Sequence, residues 1–263
     1  MLFPLSRMLP RPSGIVALLT DFGSRDPYVG LWKGMLLRAH PKAVMLDLAH
    51  DVEARDVALA AFFLGAAIGR FPTGTTFVAV VDPSSAKTRR TLAVVAHDCY
   101  WIGPDNGVLG DVMTGVEFEI RHVDFERLGL GAHARSYLGR DAYAPLCGGL
   151  AGGRFGYAAL GPQCADPVRL PPLLGGPPRV IYVDGHGNLV TNVRAQVIPT
   201  LRNLVIGGRS VPVRGHCSDV PPGSLVAIVD SWDLVEIAEN QGSAAATLRL
   251  GRGAPVALEN GSA

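Results

Sequence analysis

A chain of 263 residues with a net charge of +1, 48% apolar and 18% charged, has material for a large core, and its composition excludes a disordered protein. No basic stripe points to nucleic acid, nothing argues for an anionic membrane surface, and no apolar run reaches the roughly 18 residues that a span requires. The cysteines Cys99, Cys147, Cys164 and Cys217 are scattered without CxxC spacing and read as thiols of a reducing compartment, so a cytoplasmic protein is expected.

Residues 1–14 read as a loose leader, because Pro4, Pro10 and Pro12 interrupt any signal-peptide core. Ile15 to Thr20 predicts a short buried strand that ends at the carboxylate of Asp21. Asp26 as cap and Pro27 at the first position open a helix with the apolar stripe Tyr28, Leu31, Trp32, Met35 and Leu36, which Pro41 ends. Val44 to Leu48 predicts a strand leading into His50 and Asp51. Asp56 then caps a helix from Val57 to Ile68 that is apolar almost all round and therefore buried. The run Phe77 to Val81 stops abruptly at Asp82-Pro83, and after a polar loop and two arginines, Arg89 and Arg90, a second run covers Leu92 to Ala96. Neither run alternates, so both predict strands covered on two faces. Asp82 is thereby expected at the carboxyl end of a buried strand, where open α/β sheets hold their ligands, with Arg89 near enough to fold back onto it. A purely structural Asp–Arg pair closing a surface loop is the plainer alternative. The β-α-β-α-β order predicts a sheet with right-handed crossovers.

Tyr100 to Ile102 predicts another strand, followed by the tight turn Gly103-Pro104-Asp105-Asn106-Gly107. The stretch 110–134 has no assignable period. Gly139-Arg140-Asp141 precedes a small-residue helix from Ala142 to Gly152. Residues 161–178 are Pro-rich and aperiodic and read as a linker. Beyond them, short strands recur at Val180–Val183, Leu189–Val193, Leu204–Ile206, Val211–Val213, Leu225–Val229 and Leu234–Ala238, which predicts a small barrel or sandwich. The fold class is α/β: an N-terminal α/β domain over 15–160 with a mostly parallel central sheet, then an all-β, barrel-like domain over 179–263. P-loop, GxGxxG and GxSxG patterns are absent and the histidines lack ligand spacing, so neither a metal nor a bound cofactor is expected.

The strand-end polar residues form a set: Asp21, Asp82 with Arg89, Asp105-Asn106, Gly139-Arg140-Asp141, Asp184 and Asn188. Each alone is more often a turn former than a site residue. In order, however, TDFGSRDPYVG, LDLAHDV, VAVVDPSSAKTRR, GPDNGVL, GRDAYAP and VDGHGNLVTNV resemble the successive blocks of the S-adenosyl-L-methionine hydroxide adenosyltransferases, relatives of bacterial fluorinase and chlorinase. The resemblance runs over about residues 15–250. It implies attack of water or hydroxide on C5′ of S-adenosyl-L-methionine, releasing L-methionine and adenosine, in a homotrimer with substrate at a subunit interface and no part for nucleic acid or membrane.

By this resemblance Asp82 and Arg89 hold and polarise the water, Asp21 takes the ribose hydroxyls, Asn188 reads the adenine edge and Asp184 the amino group of the methionine half. Trp232 and His186 supply aromatic cover, the latter where the family carries an aromatic residue. Ser136, Leu138 and Gly139 join the substrate-binding set. Two departures lie near the reacting centre: Leu138 stands where hydrolysing members carry histidine, and Ser84-Ser85-Ala86 replace the usual glycines. A positioned base is worth about 10²–10⁴ in rate, so its loss need not abolish catalysis. Two alternatives follow: a halide-dependent adenosyl halogenase, whose relatives also lack that histidine but not with an Asp at 82, and a non-catalytic protein that binds S-adenosylmethionine or adenosine.

Overall fold

Runs of Val, Leu, Ile and Ala without polar alternation bury both faces of a strand, and this decides the centre of the first unit. The computed structural model describes residues 9–81, 90–130 and 139–260, and the chain divides into units Met1–Pro172 and Leu173–Ala263. In the first unit β1 (Ile15–Thr20), α1 (Tyr28–Ala39), β2 (Val44–Ala49), α2 (Val57–Ala67), β3 (Thr76–Val80), β4 (Thr91–Ala96), β5 (Cys99–Pro104), β6 (Glu119–His122) and α3 (Ala144–Ala151) follow in order. The six strands make one sheet, β2-β1-β3-β5-β4-β6. β1 lies parallel to both β2 and β3, and β3 parallel to β5, whereas β4 runs antiparallel to β5 and β6. The core gathers Leu18, Trp32, Leu36, Val78, Ile102 and Leu146 with their neighbours.

Local chemistry explains most boundaries. Asp56 caps α2 as expected, its carboxylate accepting the Leu59 N–H at 3.1 Å. At α1 the outcome differs: Pro27 itself occupies the cap position and no side chain caps the helix, so Asp26 does not act there. The α1 stripe is also wider than the face that the unit buries. Trp32 and Leu36 are buried, but Tyr28 and Leu31 remain half exposed. β2 is the sheet's edge strand, and Val44 and Leu46 on it are exposed too. The unassigned stretch 110–134 contributes β6, and Gly139–Tyr143 is one π-helical turn running into α3.

Residues at the two margins of this unit are tied down. Ser13 donates its N–H to Gly74 O at 3.0 Å, and the Tyr100 hydroxyl donates to the Pro10 carbonyl. In the Pro-rich stretch, Cys164 N–H donates to Ile120 O at 3.0 Å.

The second unit contains β7 (Val180–Val183), β8 (Leu189–Arg194), β9 (Leu201–Ile206), β10 (Arg209–Pro212), β11 (Leu225–Val229), β12 (Leu234–Glu239), α4 (Ala244–Leu248) and β13 (Val256–Asn260). They form two antiparallel sheets, β10-β9-β13 and β11-β12-β8-β7, around a core that includes Leu189, Leu204, Ile206, Val235 and Ile237. The bridge between Val213 and Ala227 links the two sheets, which gives the barrel-like closure. α4 and β13 were not expected: α4 is barely longer than a turn, and β13 pairs with the sequence-distant β9.

Candidate functional site

In the first unit the chain goes from β1 to β2 on one side and, through α2, to β3 on the other, so the sheet has a switch point between β1 and β3. Open α/β sheets bind ligands at the carboxyl ends of the strands flanking such a point. Thr20 pairs in register with Val80 there, and the Asp21 N–H reaches Val80 O at 3.4 Å. Asp21 is half-buried, and its Oδ2 accepts the Arg55 N–H at 3.1 Å. Arg55 holds a left-handed φ of 71°, a conformation costly for a side chain with a Cβ. Gly23, with φ of 76°, completes the turn after Asp21 and donates its N–H to His50 O at 2.8 Å.

A chain of side chains lies behind this turn. The fully buried Thr20 has its Oγ1 2.9 Å from His50 Nδ1 and accepts the Phe22 N–H at 3.3 Å. His50 Nε2 lies 2.9 Å from Asp47 Oδ1, off the line of a hydrogen bond. Lys33 Nζ reaches the other Asp47 oxygen at 2.7 Å. Burial opposes ionisation of Asp47, but the contacts with Lys33 and His50 outweigh it and hold the carboxyl below its usual range. Asp51 Oδ1 accepts both the N–H and the hydroxyl of Ser24, at 2.9 and 3.2 Å.

Asp82, Arg89, Ser136 and Leu138 lie outside the described residues, but what flanks them is fixed. On one side of residues 82–89, Asn106 Nδ2 donates to the carbonyl of the fully buried Val81 at 2.9 Å. On the other, the Arg90 guanidinium lies 2.5 Å from Asp105 Oδ2, a close charge contact rather than an aligned hydrogen bond. It also donates to both oxygens of the Asp166 carboxylate, at 3.0 and 3.1 Å. Asp105 has a side chain only 1% exposed, and its Oδ1 accepts the Val168 N–H at 2.8 Å. Of the two adjacent arginines, Arg90 is therefore a clamp, and the Asp105-Asn106 turn is an anchor for both ends of the loop. Gly139 opens the π-helical turn, a distortion that recurs at functional positions.

Among the described residues one trio of metal-type side chains comes together: His122, Cys164 and Asp166 hold ligand atoms within 4.8 Å. A cation there competes with the guanidinium already fixed on Asp166.

In the second unit Asp184 and Asn188 sit in one turn between β7 and β8. Asp184 Oδ1 accepts the N–H groups of His186 and Asn188 at 2.9 and 2.8 Å, and its Oδ2 accepts Asn188 Nδ2 at 3.0 Å. Asn188 Oδ1 is thus left facing away from Asp184 as an acceptor. Gly187 has φ of 82°, and a Cβ on it would fall 2.0 Å from Ser243 Oγ, so only glycine fits this turn. His186 is exposed. The Trp232 ring lies 6.2 Å from the Tyr182 ring, and the Trp232 backbone N–H donates to Asp230 Oδ1 at 2.7 Å. Tyr182 and Glu236 were not anticipated. Burial, and then the charges of Asp230 and Asp184, push the Glu236 carboxyl up to about 7, with His186 acting the other way.

Comparison with known proteins agrees with this architecture. Residues 16–161 match the SAM hydroxide adenosyltransferase N-terminal domain, and residues 178–257 match the C-terminal domain of the same name. The chain is 35% identical over 255 residues to a protein of Thermus thermophilus named (R)-S-adenosyl-L-methionine hydrolase, covering 92% of this chain and 98% of that one. A fluorinase of Nocardia brasiliensis aligns at 31% identity over 84 residues, 32% of this chain and 28% of its own. The crystal structure of an uncharacterized conserved protein from Thermotoga maritima superposes with a TM-score of 0.83 at 28% identity, over 92% of this chain and 98% of that one. The mixed α/β fold is thus shared along nearly the whole chain, and no helix among the described residues is long and apolar enough to cross a membrane. This chain belongs to the SAM hydroxide adenosyltransferase family.

Proposed function

We propose that the protein cleaves S-adenosyl-L-methionine by substitution at C5′ with water, giving adenosine, L-methionine and a proton. The oxygen lone pair attacks C5′, the C5′–S bond breaks, and its electron pair stays on the sulfur of methionine. The observation that carries this reading is the carboxyl edge between β1 and β3: Asp21 stands there on a braced turn, and Asp82 follows one residue after the anchored Val81. Asp21 accepts the ribose hydroxyls through the lone pairs that Arg55 leaves open. Asp82 and Arg89 orient the attacking water, and removal of bulk water favours substitution at a sulfonium. With Leu138 in the family's histidine position, proton removal falls to Asp82 or solvent, and a slow enzyme is expected.

In the second unit Asn188 offers its amide oxygen to the adenine amino group, and the Tyr182–Trp232 pair offers aromatic surface. A homotrimer is part of this reading, supported by the exposed apolar side chains on α1 and on the edge strand β2. Incubation of purified protein with S-adenosyl-L-methionine, with and without chloride, is the test. Adenosine released in equal amounts under both conditions supports hydrolysis. A 5′-halogenated product that needs halide points to the halogenase, and binding without any product points to the non-catalytic alternative.

A further inference from the structure

We propose that His50, acting through Thr20, positions the carboxylate of Asp21, an inference that rests on the reading of Asp21 as the acceptor of the ribose hydroxyls. Thr20 and His50 are 30 residues apart, and the pairing of β1 with β2 decides how they meet. Leu18 is level with Asp47, but Leu19 is level with Ala49, so β2 carries one extra residue, Leu48, in a bulge. Bulges are rare in parallel pairs, and they recur beside functional sites, where they re-aim a side chain. One step further along the shifted register His50 comes level with Thr20, and its Nδ1 lies 2.9 Å from Thr20 Oγ1. Without the extra residue Ala49 would stand there.

Thr20 is fully buried, and its oxygen accepts the Phe22 N–H at 3.3 Å. A hydroxyl has one proton to give, and among the described residues the acceptor within its reach is His50 Nδ1. That assigns the ring proton of the neutral imidazole to Nε2, the side on which Asp47 Oδ1 lies 2.9 Å away. Lys33 Nζ holds the other Asp47 oxygen at 2.7 Å.

Asp21 is the residue enclosed by these contacts. Before it, Thr20 is fixed in the strand by its register with Val80. After it, Thr20 Oγ1 holds the Phe22 N–H, and the His50 carbonyl accepts the Gly23 N–H at 2.8 Å. His50 thus grips the turn twice, with its ring through Thr20 and with its own backbone. The Asp21 carboxylate has one partner among the described residues, the Arg55 N–H at 3.1 Å on Oδ2. Its aim therefore depends on the backbone beneath it, and a misplacement of about 1 Å in such a group can cost about 100-fold.

A thermodynamic cycle on the full-length protein, with adenosine affinity read by calorimetry, tests this. Thr20→Val keeps the shape and loses the hydroxyl, and His50→Leu loses the acceptor at Nδ1. Each should weaken adenosine about tenfold. Thr20→Ser and His50→Asn return the hydroxyl or an acceptor to the same place and should stay within about threefold of native protein. In an Asp21→Ala background Thr20→Val should change adenosine affinity less than about twofold, because the group it positions is gone. Unchanged adenosine affinity in Thr20→Val and His50→Leu, whatever their melting temperatures, overturns the proposal. So does a loss that repeats in full without the Asp21 carboxylate. An Asp21→Ala protein that binds adenosine as tightly as native protein refutes the ribose reading itself, and this inference falls with it.

Discussion

Replacing Arg90 by alanine tests whether the loop from Asp82 to Arg89 depends on its anchors. The guanidinium is 2.5 Å from Asp105, whose side chain is 1% exposed and, among the described residues, keeps only the Val168 N–H when Arg90 is gone. Removing one partner of a fully buried ion pair costs about 3–5 kcal/mol, because the other charge is left in a poor solvent. Arg90 is 40% exposed, so water reaches the pair, and about 1–3 kcal/mol is the fitting magnitude. The contact with the exposed Asp166 adds nothing to that figure. For a protein of this size the loss lowers the melting temperature by about 3–10 °C. Asp105→Asn removes the buried charge, so in that background Arg90→Ala should cost under about 1 kcal/mol. Thermal unfolding of the four proteins measures the coupling. Methionine release at 25 °C, where all stay folded, should fall in Arg90→Ala while adenosine affinity holds within about twofold. Equal losses in both backgrounds refute the clamp. An unchanged turnover with a lowered melting temperature separates the clamp from the chemistry.

Three further outcomes are expected. Asp21→Ala should weaken adenosine and S-adenosyl-L-methionine alike, by about 1–3 kcal/mol for a buried pair of hydroxyls left unmatched, and an unchanged adenosine affinity in calorimetry rules out the ribose role. The fold raises Glu236 from 4.5 to about 7, so its contribution to stability is full below about pH 4 and is lost as pH rises through 7. Glu236→Gln stays uncharged throughout, and its melting temperature relative to native protein should rise between pH 5 and pH 8; a constant difference contradicts the raised value. Leu138→His should increase S-adenosyl-L-methionine hydrolysis about tenfold or more, and Arg89→Ala should decrease it in both backgrounds. No gain in the first and no loss in the second would make the Asp82–Arg89 pair structural.

The elements legible in the sequence were those whose signal is local. Strands β1, β3 and β4 follow from unbroken apolar runs, and α2 from an Asp cap before an all-apolar stretch, because such patterns bury both faces whatever the partners are. Asp21 could be set at a strand end for the same reason. What stayed hidden depends on pairing between distant segments. β2 reads like its neighbours, yet it is the edge strand, which only the sheet order reveals. Thr20, His50 and Asp47 are 30 and 3 residues apart in successive pairs and meet only because β1 and β2 pair in parallel. Asp26 precedes a proline as a cap should, but Pro27 takes the cap position and the carboxylate has no N–H to receive.

The two aspartates that look alike in sequence show why residue type alone does not assign a role. Asp21 and Asp184 both end strands and both precede glycine-containing turns. Asp184 accepts three donors on two oxygens within its own turn and thereby holds Asn188 in place. Asp21 accepts a single N–H, from a residue whose backbone is held in a left-handed conformation, and retains lone pairs for a ligand. Glu236 carries the contrast furthest: in sequence it is one acid in an alternating strand, LVEIAE, that reads as pointing to water. In the fold it shares a row with Val190 and Tyr182 and lies near the carboxylates of Asp230 and Asp184. Burial, and then the charges of Asp230 and Asp184, push its carboxyl up to about 7, which its place in an alternating strand does not foretell.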